Sequence, residues 1–157
     1  GEMLAKAKER FASQAQRIHY QLLDYIHAPI PGRYDVIVSA LSLHHTEPAN
    51  LRITFDKIYT ALHSGGFFIN ADQVLGPTPE IEAHYHQTWL RQIRARGCTE
   101  EEINLALERM KADRTSTLDA QLHWLRATGF EEVNCWYKHY RFAVYSGRKK
   151  GQNTRRT

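Results

Sequence analysis

The feature that most constrains this chain is the run YDVIVSALSL at residues 34–43. It is nearly continuous in apolar and β-branched residues, without the alternation of a half-exposed strand. That pattern predicts a strand buried on both faces, the mark of a parallel sheet under helices. Parallel neighbours need a crossover, and the chain provides one. Thr46 reads as an N-cap with Glu47 and Pro48 in the first turn, and Leu51, Phe55, Ile58 and Leu62 share one helical face. Gly65-Gly66 closes that helix, and FFINADQV (67–74) reads as a second buried strand. Strand, helix and strand make one right-handed βαβ unit.

The flanks follow the same grammar. Residues 3–16 read as a helix with Met3, Leu4, Ala7 and Phe11 on one stripe, and RIHYQLL (17–23) reads as a short strand before the turn at Pro29, Pro31 and Gly32. Three helices come after Gly76. Thr78-Pro79 opens the first, which carries Ile81, Tyr85, Trp89 and Ile93 and stops at Gly97. Thr99 to Glu102 forms a capping box for the second, with Ile103, Leu107 and Met110 inward. Thr117 opens the third, with Leu118, Leu122 and Leu125 inward and Gly129 at its end. Two strands, 132–138 and 141–147, are separated only by His139-Tyr140 and so form an antiparallel hairpin. The class is α/β with a mixed sheet, parallel except at its end.

Composition narrows the function. A chain of 157 residues, 42% hydrophobic and 24% charged, is one globular domain rather than a disordered segment. No apolar run reaches the roughly 18 residues of a membrane span. Two cysteines, Cys98 and Cys135, are too few for a disulfide scaffold or a four-cysteine zinc site, and a cytoplasmic setting is expected. The net charge of +4 comes from the C-terminus: residues 148–157 hold five cations and no acid, and the rest is close to neutral. These residues read as a solvated tail beyond a domain spanning 1–147. Nucleic-acid binding is disfavoured because no stacking aromatics accompany the cations.

Taken in order, YDVIVSALSLHH, the Gly-Gly before FFINAD, the helix ending LRATGF, the final hairpin and the opening EMLAKAKERF resemble class I S-adenosylmethionine-dependent methyltransferases. The resemblance covers residues 2–149. It implies a Rossmann-like sheet of order 3-2-1-4-5-7-6 with a C-terminal antiparallel hairpin, and S-adenosylmethionine as cofactor. It also exposes a departure. The family's first strand ends in a glycine-rich GxGxG loop and its second in a ribose-binding acid, and the sequence shows neither. The chain therefore reads as the C-terminal two-thirds of the fold, truncated at the N-terminus. The strand at 34–40 is then an apolar sheet edge, which favours a homodimer or higher self-association through that edge.

By match to the family, Asp24 and Tyr25 are the adenine-side candidates, although Leu23 replaces the usual glycine and Asp24 reads equally as a turn cap. Ser39, Ala40 and Leu41 lie at the carboxyl end of a parallel strand, where open α/β sheets bind ligands. His44 and His45 are the catalytic candidates, because a histidine can take a proton from an acceptor hydroxyl or amine. Adjacent histidines on a strand point to opposite faces, so no metal is expected unless the strand has already ended. Asp72 is expected at the cleft rim, orienting the acceptor or capping a turn. Residues 77–116 read as a helical lid insertion in which Tyr85, Trp89, Arg91 and Arg94 cover a small-molecule methyl acceptor. The leading expectation is a methyltransferase with weak cofactor binding, and the alternative is a non-catalytic remnant serving as a dimeric interaction module.

Overall fold

The computed structural model describes residues 1–151. Four strands form one sheet in the order β1-β2-β4-β3, with β1 at Tyr34–Ala40, β2 at Leu62–Gln73, β3 at Phe130–His139 and β4 at Phe142–Lys149. β1 and β2 run parallel, with Val36 opposite Phe67 and Ala40 opposite Ala71. β4 pairs antiparallel with both β2 and β3. This is the 4-5-7-6 portion of the expected order, mixed and ending in the hairpin. The helices are α1 (Glu2–Arg10), α2 (Pro48–Ala61), α3 (Pro79–Ala95), α4 (Glu100–Met110) and α5 (Leu118–Thr128). Among the described residues no helix is long and apolar enough to cross a membrane.

Local chemistry places most helix ends where the sequence puts them. The Thr78, Thr99 and Thr117 hydroxyls each accept a backbone N–H of the first turn, and the Thr99–Glu102 capping box is complete. Gly129 ends α5 in the left-handed region at φ 108°, a conformation that costs other residues about 1 kcal/mol or more. At α2 the cap shifts by one residue: Glu47, not Thr46, is the N-cap, and Pro48 takes the first helical position. α2 also stops at Ala61, before Gly65-Gly66, because the chain passes directly into β2 at Leu62.

α2 and α5 bring Leu51, Phe55, Ile58 and Leu125 onto Phe68, Phe130 and Tyr145 of the sheet. Phe55 packs 5.8 Å from Phe68, and Tyr59 meets Phe130 edge-on at 5.0 Å. Each fully buried large apolar side chain contributes about 1.5–3 kcal/mol, so this layer accounts for most of the driving force.

Several expectations are corrected. RIHYQLL is not a strand: Ala12–Arg17 is a 3-10 turn, and the following residues are irregular. A strand needs a ladder partner, and among the described residues β1 pairs only with β2. The first helix ends at Arg10, and its stripe is only partly covered: Leu4 and Ala7 are half-buried while Met3 is 81% exposed. β1 is buried on one face only: Ile37 packs on the core while Val36 and Val38 are 50% and 63% exposed. That outer face is apolar at Val36 and Val38, and among the described residues the far edge of β1 has no ladder partner.

The basic C-terminal segment also divides. Arg148 and Lys149 belong to β4, and Lys149 Nζ donates to the carbonyls of Tyr59 at 2.7 Å and Leu62 at 2.8 Å, neutralising the end of α2. Burial first, and then Arg33 nearby, hold the Lys149 ammonium below its ordinary pKa. Arg155 and Arg156 lie outside the described residues.

Candidate functional site

The site forms where β1 ends. Ser39 and Ala40 are its last residues, and Leu41 turns the chain with φ 48°, a left-handed conformation rare for a branched side chain. The Leu41 N–H is held by the Ala71 carbonyl at 3.0 Å. The chain then winds into a single 3-10 turn, Leu43–His45. The strand has therefore ended before the two histidines. Their rings lie on the same side, with centroids 3.9 Å apart, instead of on opposite faces.

Asp72, near the end of β2, organises this turn from below. It is 2% exposed. One carboxylate oxygen accepts the Leu43 N–H at 2.8 Å and the His44 N–H at 3.2 Å. The other accepts the Gln73 N–H at 2.9 Å and pairs with His44 Nδ1 at 2.6 Å. All four partners face a carboxylate acceptor, so His44 donates from Nδ1 and presents Nε2 outward.

Nε2 faces a cavity of about 340 Å³ lined by His44, His45, Trp89, Arg109, Asp113 and Arg141, among others. α3 supplies Trp89, α4 supplies Arg109 and Met110, the loop after α4 supplies Asp113, and the β3–β4 hairpin supplies Arg141 and Phe142. Asp113 Oδ1 lies 3.1 Å from His45 Nδ1 and 3.7 Å from His44 Nε2. Its loop is pinned to the histidine turn, since the Arg114 N–H donates to the His44 carbonyl at 2.7 Å and Arg114 Nε reaches Glu47 at 2.6 Å. Arg141 pairs with Glu82, and among the described residues its buried Nε has no partner.

Of the remaining sequence candidates only Trp89 lines this cavity. Tyr25 reaches Ser42 Oγ at 2.8 Å and ties its loop to the end of β1. Asp24 caps that same loop: it accepts the Ile26 and His27 N–H groups at 3.0 and 3.3 Å and pairs with the His27 ring at 2.7 Å. The His27 ring, above all, holds the Asp24 carboxyl below its usual pKa. Trp89 lines the cavity, and Tyr85 shares a smaller adjoining hollow with it. Arg91 turns to Thr88, and Arg94 is committed to Glu100 at 2.7 and 3.0 Å. Asp72 lies under the turn rather than on the rim. Arg109, Asp113 and Arg141 were not singled out from sequence. Asp113 sits 69 positions from His44 in a short loop with no motif of its own.

Comparison with known proteins bears on the whole arrangement. Residues 1–66 match a family described as a methyltransferase domain. Over 146 residues the chain is 29% identical to a carboxy-S-adenosyl-L-methionine synthase of Hydrogenovibrio crunogenus, covering 91% of this chain and 58% of that protein. The chain is thus similar to S-adenosylmethionine-dependent methyltransferases, in sequence over its first 66 residues and in fold. Two solved methyltransferase-fold structures share its architecture. PigF with SAH superposes at TM-score 0.62 and 21% identity, covering 92% of this chain and 40% of that one. Human N-acetylserotonin methyltransferase in complex with SAM superposes at 0.56 and 16% identity, covering 86% and 34%. The chain spans under three-fifths of that curated relative's length. Those two structures carry SAH and SAM.

Proposed function

We propose that this chain contributes the acceptor side of a methyltransferase site, in which a methyl group passes from S-adenosylmethionine to a small-molecule nucleophile. The observation that carries the reading is the position of His44, fixed by Asp72 and aimed into the cavity beyond the carboxyl end of β1. In the family fold that end faces the cofactor. Ser39, Ala40 and Leu41 with Tyr25 form the cofactor side, and Asp24 acts through the loop it caps. His44 and His45 stand against the acceptor's nucleophilic atom. The sulfonium is already activated, so the protein chiefly supplies alignment and exclusion of water.

The lining suggests the acceptor. Trp89, Met110 and Phe142 suit an apolar or aromatic body, while Arg109 and the unpartnered Nε of Arg141 suit an anionic group. α3 and α4 would then act as the lid over it. The same cations support a second reading, taken from the Hydrogenovibrio relative: that the ligand is a carboxylated form of the cofactor. Cys98 and Cys135 are both free thiols, which suits a reducing cytoplasmic setting.

Titration of the 15N-labelled chain with S-adenosylmethionine tests the proposal. The GxGxG loop and ribose acid of the family pattern are not among these 157 residues, so weak binding is expected, near the millimolar range or about −4 kcal/mol. Amide shifts should concentrate at Tyr25 and residues 39–42. Unmoved amides there at saturating ligand would refute the site. A greater response to the carboxylated cofactor, abolished by Arg109→Gln, would favour the second reading.

A further inference from the structure

We propose that His44, His45 and Asp113 form a binding site for one divalent transition-metal cation of the zinc class, on the wall of the cavity. These three residues each offer a ligand atom, and the atoms lie within 4.8 Å of one another. Ligands about 2.0–2.2 Å from a tetrahedral zinc ion stand roughly 3.4 Å apart. The two separations from Asp113 Oδ1, 3.1 Å to His45 Nδ1 and 3.7 Å to His44 Nε2, bracket that value.

A second observation is independent of spacing. His44 Nδ1–H donates to the buried Asp72 carboxylate, which also accepts three backbone N–H groups. Nε2 is then the ring atom turned toward the Asp113 carboxylate, and at 3.7 Å no direct hydrogen bond joins the two. A cation coordinated by both would bridge that gap. The carboxylate behind the histidine is also the arrangement that fixes the tautomer and orientation of metal-bound imidazoles.

The site is built rather than incidental. The 3-10 turn places both imidazoles on one side, and the Arg114 bonds to the His44 carbonyl and Glu47 hold the Asp113 loop against it. Two imidazoles and one carboxylate suit zinc, iron, cobalt or nickel better than magnesium or calcium. Three protein ligands leave at least one position open toward the cavity, where an acceptor oxygen could coordinate. The assignment stands on these side chains alone and does not depend on the methyl-transfer reading.

The test is calorimetric titration of the purified, chelator-treated chain with Zn2+, with Co2+ absorption as a spectroscopic probe. One equivalent should bind, and Co2+ should give visible bands of four- or five-coordinate intensity. His45→Ala and Asp113→Asn should each weaken binding at least tenfold. The His45 side chain is 55% exposed, so its loss leaves the core intact, and circular dichroism checks the fold of both variants. Asp72→Asn should weaken binding about 10–100-fold through His44. His19→Ala, at an exposed histidine away from the cavity, should change nothing. The chain has nine histidines, so adventitious binding is the competing outcome. Absence of binding at millimolar Zn2+, or binding unaffected by Asp113→Asn, would overturn the site and leave the S-adenosylmethionine titration untouched.

Discussion

Replacing Asp72 by Asn changes one oxygen to a nitrogen beneath the histidine turn, with almost no change of volume. The carboxylate serves four donors: the N–H groups of Leu43, His44 and Gln73, and the His44 ring. An amide has one acceptor oxygen. In its best orientation that oxygen keeps Leu43 and His44, and the new NH2 group faces the Gln73 N–H and His44 Nδ1. The histidine can accept at Nδ1 by moving its proton to Nε2. The Gln73 amide has no such escape, and a buried unsatisfied donor costs about 1–3 kcal/mol. The two bonds retained lose their charge assistance, roughly 1 kcal/mol each, offset in part because a buried charge no longer has to be desolvated. The net destabilisation is about 2–4 kcal/mol. With a urea dependence of roughly 2 kcal/mol per M, the unfolding midpoint should fall by about 1–2 M. Long-range 1H–15N spectra should show the His44 proton moving from Nδ1 to Nε2. A midpoint shift under about 0.5 M, or an unchanged tautomer, would refute the account of Asp72 as the organiser of this turn.

Two further expectations follow from packing. A Cβ on Gly76 would stand 2.5 Å from the Glu82 amide nitrogen and 2.8 Å from its Cα, so Gly76→Ala must push the start of α3 away. A loss of about 2–3 kcal/mol, or a melting temperature lower by about 5–10 °C, is expected, and an unchanged melt would show that α3 does not depend on this approach. At the sheet edge, sedimentation should reveal a dimer held through β1 that Val38→Lys dissociates. A monomer at micromolar concentration would retire the self-association read from the sequence.

What was legible in the sequence is what local chemistry decides. Thr78, Thr99, Thr117 and Gly129 mark helix ends because their own side chains or backbone freedom satisfy the end groups. The βαβ unit follows from a run of β-branched residues and one helical stripe. RIHYQLL misled because apolar composition does not make a strand without a partner to complete its hydrogen bonds. The exposure of Val36 and Val38 likewise depends on which elements cover a face, which no window of sequence reports. The site divides in the same way. His44, Trp89 and Tyr25 were visible as chemistry at a strand end or on a helix facing it. Asp113, Arg109 and Arg141 reach the cavity only through the packing of α4 and the hairpin, and Asp72 became a support because the turn winds over it.

One polar thread through the core has a consequence for assembly. Asn70 of β2 donates to the Tyr145 hydroxyl of β4 at 2.7 Å, directly across the ladder; Tyr145 donates to Gln121, and Gln121 donates to the Ser116 carbonyl at 3.0 Å. Burial pushes the Tyr145 phenol well above its usual pKa, so it stays a donor. Sliding the hairpin by a single residue would strand every member of this thread away from water, and the side-chain faces would invert as well. The thread thus works as a lock with one keyed alignment, and the histidine turn inherits its geometry from a hairpin that has only one way to close.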